Sequence, residues 1–201
     1  SFAGGVPVSM HLQECDNFRI TPEALTAALT PKTKAIVVAF PNNPTGAIMT
    51  KEDYEKIADI IIEHDLVVIS DEIYAELTYG TPHFSIAALP GMAERTIVIN
   101  GFSKAFAMTG FRLGYAAGPK PLLDAMVKIH QYSMLCASSM SQEAGIEALK
   151  SECANDFTQV KKMTAEYNRR RRLMYAGFNE MGLTCFEPLG AFYIFPNISK
   201  T

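Results

Sequence analysis

Three short stretches hold the residues able to do chemistry: Pro41-Asn42-Asn43-Pro44-Thr45-Gly46, Ser70-Asp71-Glu72-Ile73-Tyr74, and Ser103-Lys104 followed by Thr109-Gly110-Phe111-Arg112-Leu113-Gly114-Tyr115. Between them they offer an amine, carboxylates, a phenol, amides, hydroxyls and a guanidinium. Such groups transfer protons, attack electrophilic carbons and grip anions. Lys104 stands among small and apolar residues, an unusual setting for a solvated charge. The plain alternative is a loop lysine that faces water. Asp71-Glu72 after Val67-Val68-Ile69 also looks like the acid-tipped strand of an NTPase, but the Gly-x-x-x-x-Gly-Lys-Ser/Thr loop that such an enzyme needs is absent. The Gly-x-Gly-x-x-Gly fingerprint is absent too, which disfavours a dinucleotide-dependent oxidoreductase. Taken singly, the Pro/Asn hexapeptide reads as a tight turn and Tyr74 as core packing.

The elements around these stretches alternate. Ala35-Ile36-Val37-Val38-Ala39, Leu66-Val67-Val68-Ile69, Thr96-Ile97-Val98-Ile99 and Leu113-Gly114-Tyr115-Ala116-Ala117 are short apolar runs of the buried-strand type. Thr21-Pro22-Glu23 opens a helix, with Thr as N-cap and Pro at the first helical position. Thr50 caps the next helix with Asp53 placed to complete a capping box, and Tyr54, Ile57, Ala58 and Ile61 fall on one face. Gly4-Gly5-Val6-Pro7-Val8 reads as a turn and a short strand. The alternation predicts an α/β fold: a mostly parallel sheet covered by helices on both faces. Ligands of such sheets sit beyond the carboxyl ends of the strands. Asn43, Asp71 and Lys104 each follow a predicted strand end, so three polar residues can converge on one crevice.

From Lys120 the pattern turns helical. Leu122, Leu123, Met126, Val127 and Ile129 make one apolar side, Ser138-Ser139 interrupts it, and Glu152 to Met181 reads as one long helix stopped by Gly182. The run Arg169-Arg170-Arg171-Arg172 lies in that helix and reads as a solvated face with an interface contact. Two strand-like segments close the chain, Leu183 to Phe186 and Ala191 to Pro196, pairing as a hairpin or lying in a different sheet. This predicts two parts: a large domain over 1–150, then a long helix and the start of a smaller α+β domain over 151–201.

The net charge of -3 gives no electrostatic reason to expect nucleic acid or an anionic membrane as partner. No apolar run reaches the length of a membrane span. Cys15, Cys136, Cys153 and Cys185 form no C-x-x-C pair and sit near no histidine at ligand spacing, so no metal site is expected. They read as buried free thiols in a reducing compartment. The chain opens on Ser1, without an initiator Met or a visible signal peptide, which predicts a piece of something longer.

In their order, the three motifs closely resemble the class I/II aminotransferases, the fold-type-I enzymes that use pyridoxal 5'-phosphate. Nearly the whole chain fits, from Gly4-Gly5-Val6-Pro7-Val8 to Gly190-Ala191-Phe192-Tyr193. The resemblance implies roles. Lys104 would form a Schiff base with the cofactor aldehyde and then move the proton as general base and acid, which an amine does only when neutral. Asp71 would pair with the pyridine nitrogen and keep the ring an electron sink. Tyr74 and Asn43 would donate hydrogen bonds to the ring oxygen. Arg112 would grip the phosphate through its planar fork, with Ser103 adding a hydroxyl. The resemblance also implies a cis Asn43–Pro44 bond.

Two positions depart from the family pattern. Gly101 stands where many relatives carry a phosphate-binding Ser, and Phe111 where many carry Trp. The family's N-terminal portion, with an aromatic residue that stacks on the ring, and its C-terminal arginine for the substrate carboxylate are not among these residues. The expectation is therefore the central part of an aminotransferase, acting on an amino acid and a 2-oxo acid, homodimeric in its full length and cytoplasmic. The Phe106-Ala107-Met108-Thr109-Gly110 variant looks most like the aspartate and aromatic amino-acid branch. The alternatives are a pyridoxal-phosphate-dependent C–S β-lyase on the same fold and a folded, inactive fragment.

Overall fold

The structure, a computed structural model, describes residues 4–199. Strands β1 (Ala35–Ala39), β2 (Val67–Asp71) and β3 (Thr96–Gly101) pair in parallel in that order. Strand β4 (Gly114–Ala117) returns antiparallel along β3. No helix longer than the 3-10 turn Thr109–Phe111 separates those two strands, so there is no crossover to bring β4 back parallel.

Helix α1 (Pro22–Ala28) begins where Thr21 accepts the Ala24 N–H, with Pro22 at the first helical position. Helix α2 (Lys51–Glu63) links β1 to β2 and starts with the expected capping box. Asp53 N–H donates to Thr50 Oγ1, and Thr50 N–H donates to Asp53 Oδ2. Its apolar face, Tyr54, Ile57, Ala58 and Ile61, packs with Ile36, Val38 and Val68 into the main core. The α/β class, with a mostly parallel sheet and helices packed on it, is as expected. Val37 is 65 % exposed and Ile99 37 %, so β1 alternates between buried and open positions. Helix α3 (Lys120–Ser133) has no fully buried residue, and Leu122 and Leu123 are half-buried.

Four further expectations are corrected. The long helix does not start at Glu152. Helix α4 (Ser139–Ala154) ends first, the chain passes through left-handed Asp156 and Phe157, and α5 runs over Thr158–Glu180. Glu152 explains the break: its Oε2 accepts the Gln159 and Val160 N–H groups, so a side chain from α4 caps α5. Gly182, left-handed at φ +80, does end α5. The C-terminal strands reduce to isolated antiparallel bridges, Cys185 with Pro196 and Thr78 with Gly190. The segment from Gly4 to Val8 forms no strand, and Val6 and Val8 are exposed. The four cysteines are free, but Cys15, Cys136 and Cys153 are exposed rather than buried, since they lie in a surface turn, an interhelical loop and the last turn of α4. Among the described residues no helix is long and apolar enough to cross a membrane, and no cluster of three or more His, Cys, Asp or Glu gathers as for a metal.

Candidate active site

Asp71 is the last residue of β2, in register with Ala39 of β1 and Ile99 of β3. Strand alternation sends Asp71 and Glu72 to opposite sides. Asp71 Oδ1 accepts the Ile73 N–H at 3.1 Å, and the side chain opens on a cleft of about 290 Å³. Ser103, Arg112, Gly101, Asn100 and Gly114 line the same cleft. Glu72 turns the other way, into a buried network with Ser70 (3.0 Å), Ser85 (2.6 Å) and His83 (2.8 Å). Burial raises its pKa, but these hydrogen bonds and the His83 charge outweigh burial and hold the carboxyl below its ordinary value. The acid pair is thus divided: one carboxylate faces the cleft and the other is consumed in tying the loop at 81–86 to the sheet.

Lys104 follows β3 in the loop that begins with Phe102. Its Nζ lies 5.4 Å from the ring centre of Tyr74 and 5.2 Å from that of Phe192. No carboxylate among the described residues makes an ion pair with it. Tyr74 is 5 % exposed, and its hydroxyl meets that of Tyr193 at 2.6 Å. Burial, then the hydrogen bond to Tyr74, raise the Tyr193 pKa, while the Lys104 charge lowers it. Arg112 adopts left-handed backbone at φ +52, and its Nη1 donates to the Thr109 carbonyl at 2.8 Å.

Of the two asparagines in the hexapeptide, Asn42 builds the loop. Its Nδ2 donates to the Ala39 carbonyl, and its Oδ1 accepts from Thr45 N–H and Oγ1. Asn43 is exposed, past the end of β1, and does not line the cleft. The Asn43–Pro44 bond is cis as expected, and so is Phe40–Pro41. The departure at Gly101 has a steric reason: a Cβ there would lie 2.9 Å from both Gly114 Cα and the Leu113 carbonyl oxygen. The Gly101 N–H donates to Asn100 Oδ1, so neither a serine hydroxyl nor that backbone donor is available to an anion. Ser103 and Arg112 remain on the cleft wall.

Phe192 and Tyr193 are the site neighbours that motif reading passed over. Both rings pack edge-on against Tyr74, at 5.3 Å and 5.8 Å. They follow Ala191, whose left-handed backbone (φ +55) is held by its N–H donating to the Leu77 carbonyl and by Tyr79 Oη donating to its own carbonyl. The sequence Gly190-Ala191-Phe192-Tyr193 has no periodicity that says these rings reach back across more than a hundred residues.

Asp71, Ser103 and Arg112 put a carboxylate, a hydroxyl and a guanidinium on one cleft, while Lys104, the residue after Ser103, does not line it and holds its amine over the Tyr74 and Phe192 rings; the set suits a ligand carrying a basic nitrogen and an anionic group, open to attack by an amine. The chain matches the family model described as aminotransferase class I and II over residues 1–201. It is 54% identical over 200 residues to YugH of Bacillus subtilis (strain 168), covering 100% of this chain and 51% of that protein. It is 48% identical to an aromatic-amino-acid aminotransferase 2 of Thermococcus litoralis, covering 99% of this chain and 51% of the relative. The aromatic aminotransferase structure from Pyrococcus horikoshii superposes with a TM-score of 0.93 at 49% identity, covering 98% of this chain and 52% of that one. The chain spans about half the length of the curated relatives that it matches. With the family matched from end to end and the fold superposing on its solved structures, the chain belongs to the class I and II aminotransferases.

Proposed function

We propose that the whole protein is a pyridoxal-5'-phosphate-dependent aminotransferase, passing an amino group between an amino acid and a 2-oxo acid in two half-reactions. The observation that carries this is a cleft lined by Asp71, Ser103 and Arg112, with Lys104 next in sequence to Ser103 and its amine over the Tyr74 ring without a carboxylate partner. Bound pyridoxal phosphate supplies an aldehyde carbon for an amine to attack and a ring that draws electrons from that carbon. Lys104 is the chain's nucleophile toward that aldehyde and, once released, the group that takes and returns the substrate proton. Asp71 holds the ring nitrogen protonated. Tyr74 donates to the ring oxygen, and Arg112 with Ser103 holds the phosphate; Asn43, exposed beyond β1, has no part in the cleft as it stands.

We assign residues 1–150 to the large domain and 151–201 to the interdomain helix and the start of the small domain, the division falling within α4. The protein is proposed to be a homodimer. The exposed apolar side chains of α3 and the loop after it, Ile129, Tyr132, Met134 and Leu135, suit a subunit contact. The free cysteines fit a cytoplasmic setting. The 201 residues alone are proposed to hold the cofactor weakly and to turn over slowly if ever, since the aromatic residue that stacks on the ring and the arginine for the substrate carboxylate are not among them.

The test is borohydride reduction of the intact protein after incubation with pyridoxal phosphate, with peptide mass spectrometry. A reduced adduct on Lys104, lost in Lys104→Ala, is expected; its absence sinks the reading. Product analysis separates the lyase: a new 2-oxo acid and a new amino acid fit transamination, whereas pyruvate and ammonia from a C–S substrate would overturn it.

A further inference from the structure

We infer that Tyr193 is a positioning residue for Tyr74, donating its hydroxyl to the Tyr74 oxygen so that the Tyr74 proton is left pointing at the ligand's ring oxygen. The inference rests on the pyridoxal phosphate reading above.

Two hydroxyls 2.6 Å apart share one proton between their oxygens, so one donates and the other accepts. Were Tyr74 the donor, its single proton would be spent on Tyr193 and none would remain for a ligand. With Tyr193 as donor, Tyr74 accepts and donates at once. Its own donation is strengthened by polarisation along the chain of hydrogen bonds. The surroundings hold this arrangement. Tyr74 is buried, and Phe192 closes one side of its ring. Tyr193 is fixed through Ala191, buried and left-handed, and through Gly190, whose N–H donates to the Gly46 carbonyl at 2.9 Å. Phe192 is held in turn by Tyr167 of α5, at 5.4 Å. The charged and titratable groups facing the pair are Lys104 from the loop after β3 and Tyr167 from α5.

A segment beyond α5 thereby sets the hydroxyl of a residue that follows β2. A ligand oxygen carrying negative charge feels Tyr193 without touching it. Loss of Tyr193 weakens the Tyr74 donation, and the basicity of the group bonded to Lys104 rises, as it does on complete loss of Tyr74.

The test uses the intact protein loaded with pyridoxal phosphate and follows the pH midpoint of its visible absorbance band. Tyr193→Phe is expected to raise the midpoint by about half a pH unit or more, in the same direction as Tyr74→Phe and by less. The double variant is expected to match Tyr74→Phe alone. An unmoved midpoint, or a double variant equal to the sum of the two, overturns the inference. A cofactor-free arm checks the pair itself. In Tyr74→Phe the Tyr193 phenol should titrate at lower pH in ultraviolet difference spectra, and an unchanged titration also overturns it. Failure of the wild-type protein to form a reducible adduct on Lys104 would instead bring down the underlying reading, and the role of Tyr193 toward the cofactor with it. An adduct with an unmoved midpoint removes Tyr193 alone.

Discussion

Gly46 and Gly190 meet backbone against backbone: the Gly190 N–H donates to the Gly46 carbonyl at 2.9 Å, and the Leu189 N–H donates to the same oxygen at 3.0 Å. A Cβ on Gly46 would lie 2.3 Å from Pro188 Cβ, and one on Gly190 would lie 2.4 Å from Pro41 Cβ. This approach docks the C-terminal segment on the loop after β1 and delivers Phe192 and Tyr193 to Tyr74 and Lys104. Gly190→Ala is therefore expected to destabilise the protein by about 1–3 kcal/mol. It should also loosen the aromatic wall beside Lys104. Urea melts and near-ultraviolet circular dichroism check this; an unchanged melt with an unchanged aromatic signal would show that the approach is not needed.

Arg112 carries a prediction about anion binding. Its guanidinium lines the cleft while one nitrogen donates to Thr109, leaving other donors for a phosphate. Arg112→Ala should weaken pyridoxal phosphate binding by about 1.5–3 kcal/mol, the range for hydrogen bonds to a charged group. It should scarcely change binding of pyridoxal, which lacks the phosphate. Equilibrium dialysis of both ligands checks it, and an equal loss for both would remove Arg112 from the phosphate site.

Glu72 predicts an acid limb. Its pKa is depressed in the folded state, so its contribution is present above the unfolded carboxyl value and is lost as pH falls through the folded value. Glu72→Gln should lower the melting temperature at neutral pH and flatten the decline in stability below about pH 4.5. Its cost, for a buried network left part-satisfied, is about 1–3 kcal/mol. Melting curves from pH 3 to 8, taken in steps of about one unit, check both statements; a parallel shift at every pH would contradict the linkage.

Glu152→Ala removes the side chain that caps α5 from outside the helix. The Gln159 and Val160 N–H groups lose their acceptor, and a loss of about 1–2 kcal/mol is expected. Hydrogen exchange should rise first at Gln159 and Val160. Protection unchanged at those two amides would mean that another acceptor caps the helix.

The local sequence determined a good deal. Apolar runs specify where strands start and stop, Thr21 and Thr50 announce their helices through a side-chain oxygen near the first free N–H groups, and Gly182 ends α5 because a left-handed backbone suits glycine. The family motifs point to Asp71, Ser103 and Arg112, and the parallel pairing of β2 with β3 and the antiparallel return of β4 bring the end of β2, the loop after β3 and the start of β4 to one cleft. What escaped depended on contacts between distant parts of the chain. The break before α5 is made by a carboxylate reaching forward from α4, against a pattern that reads as continuous helix. The division of labour between Asp71 and Glu72 follows from which side of the strand end each leaves, and from the presence of His83 and Ser85 on one of those sides. The pairing of Tyr74 with Tyr193 required two glycines to bring loops together closer than any side chain permits. Residue types and local spacing announce elements and chemical groups, while only packing across long stretches of chain decides which groups face one another.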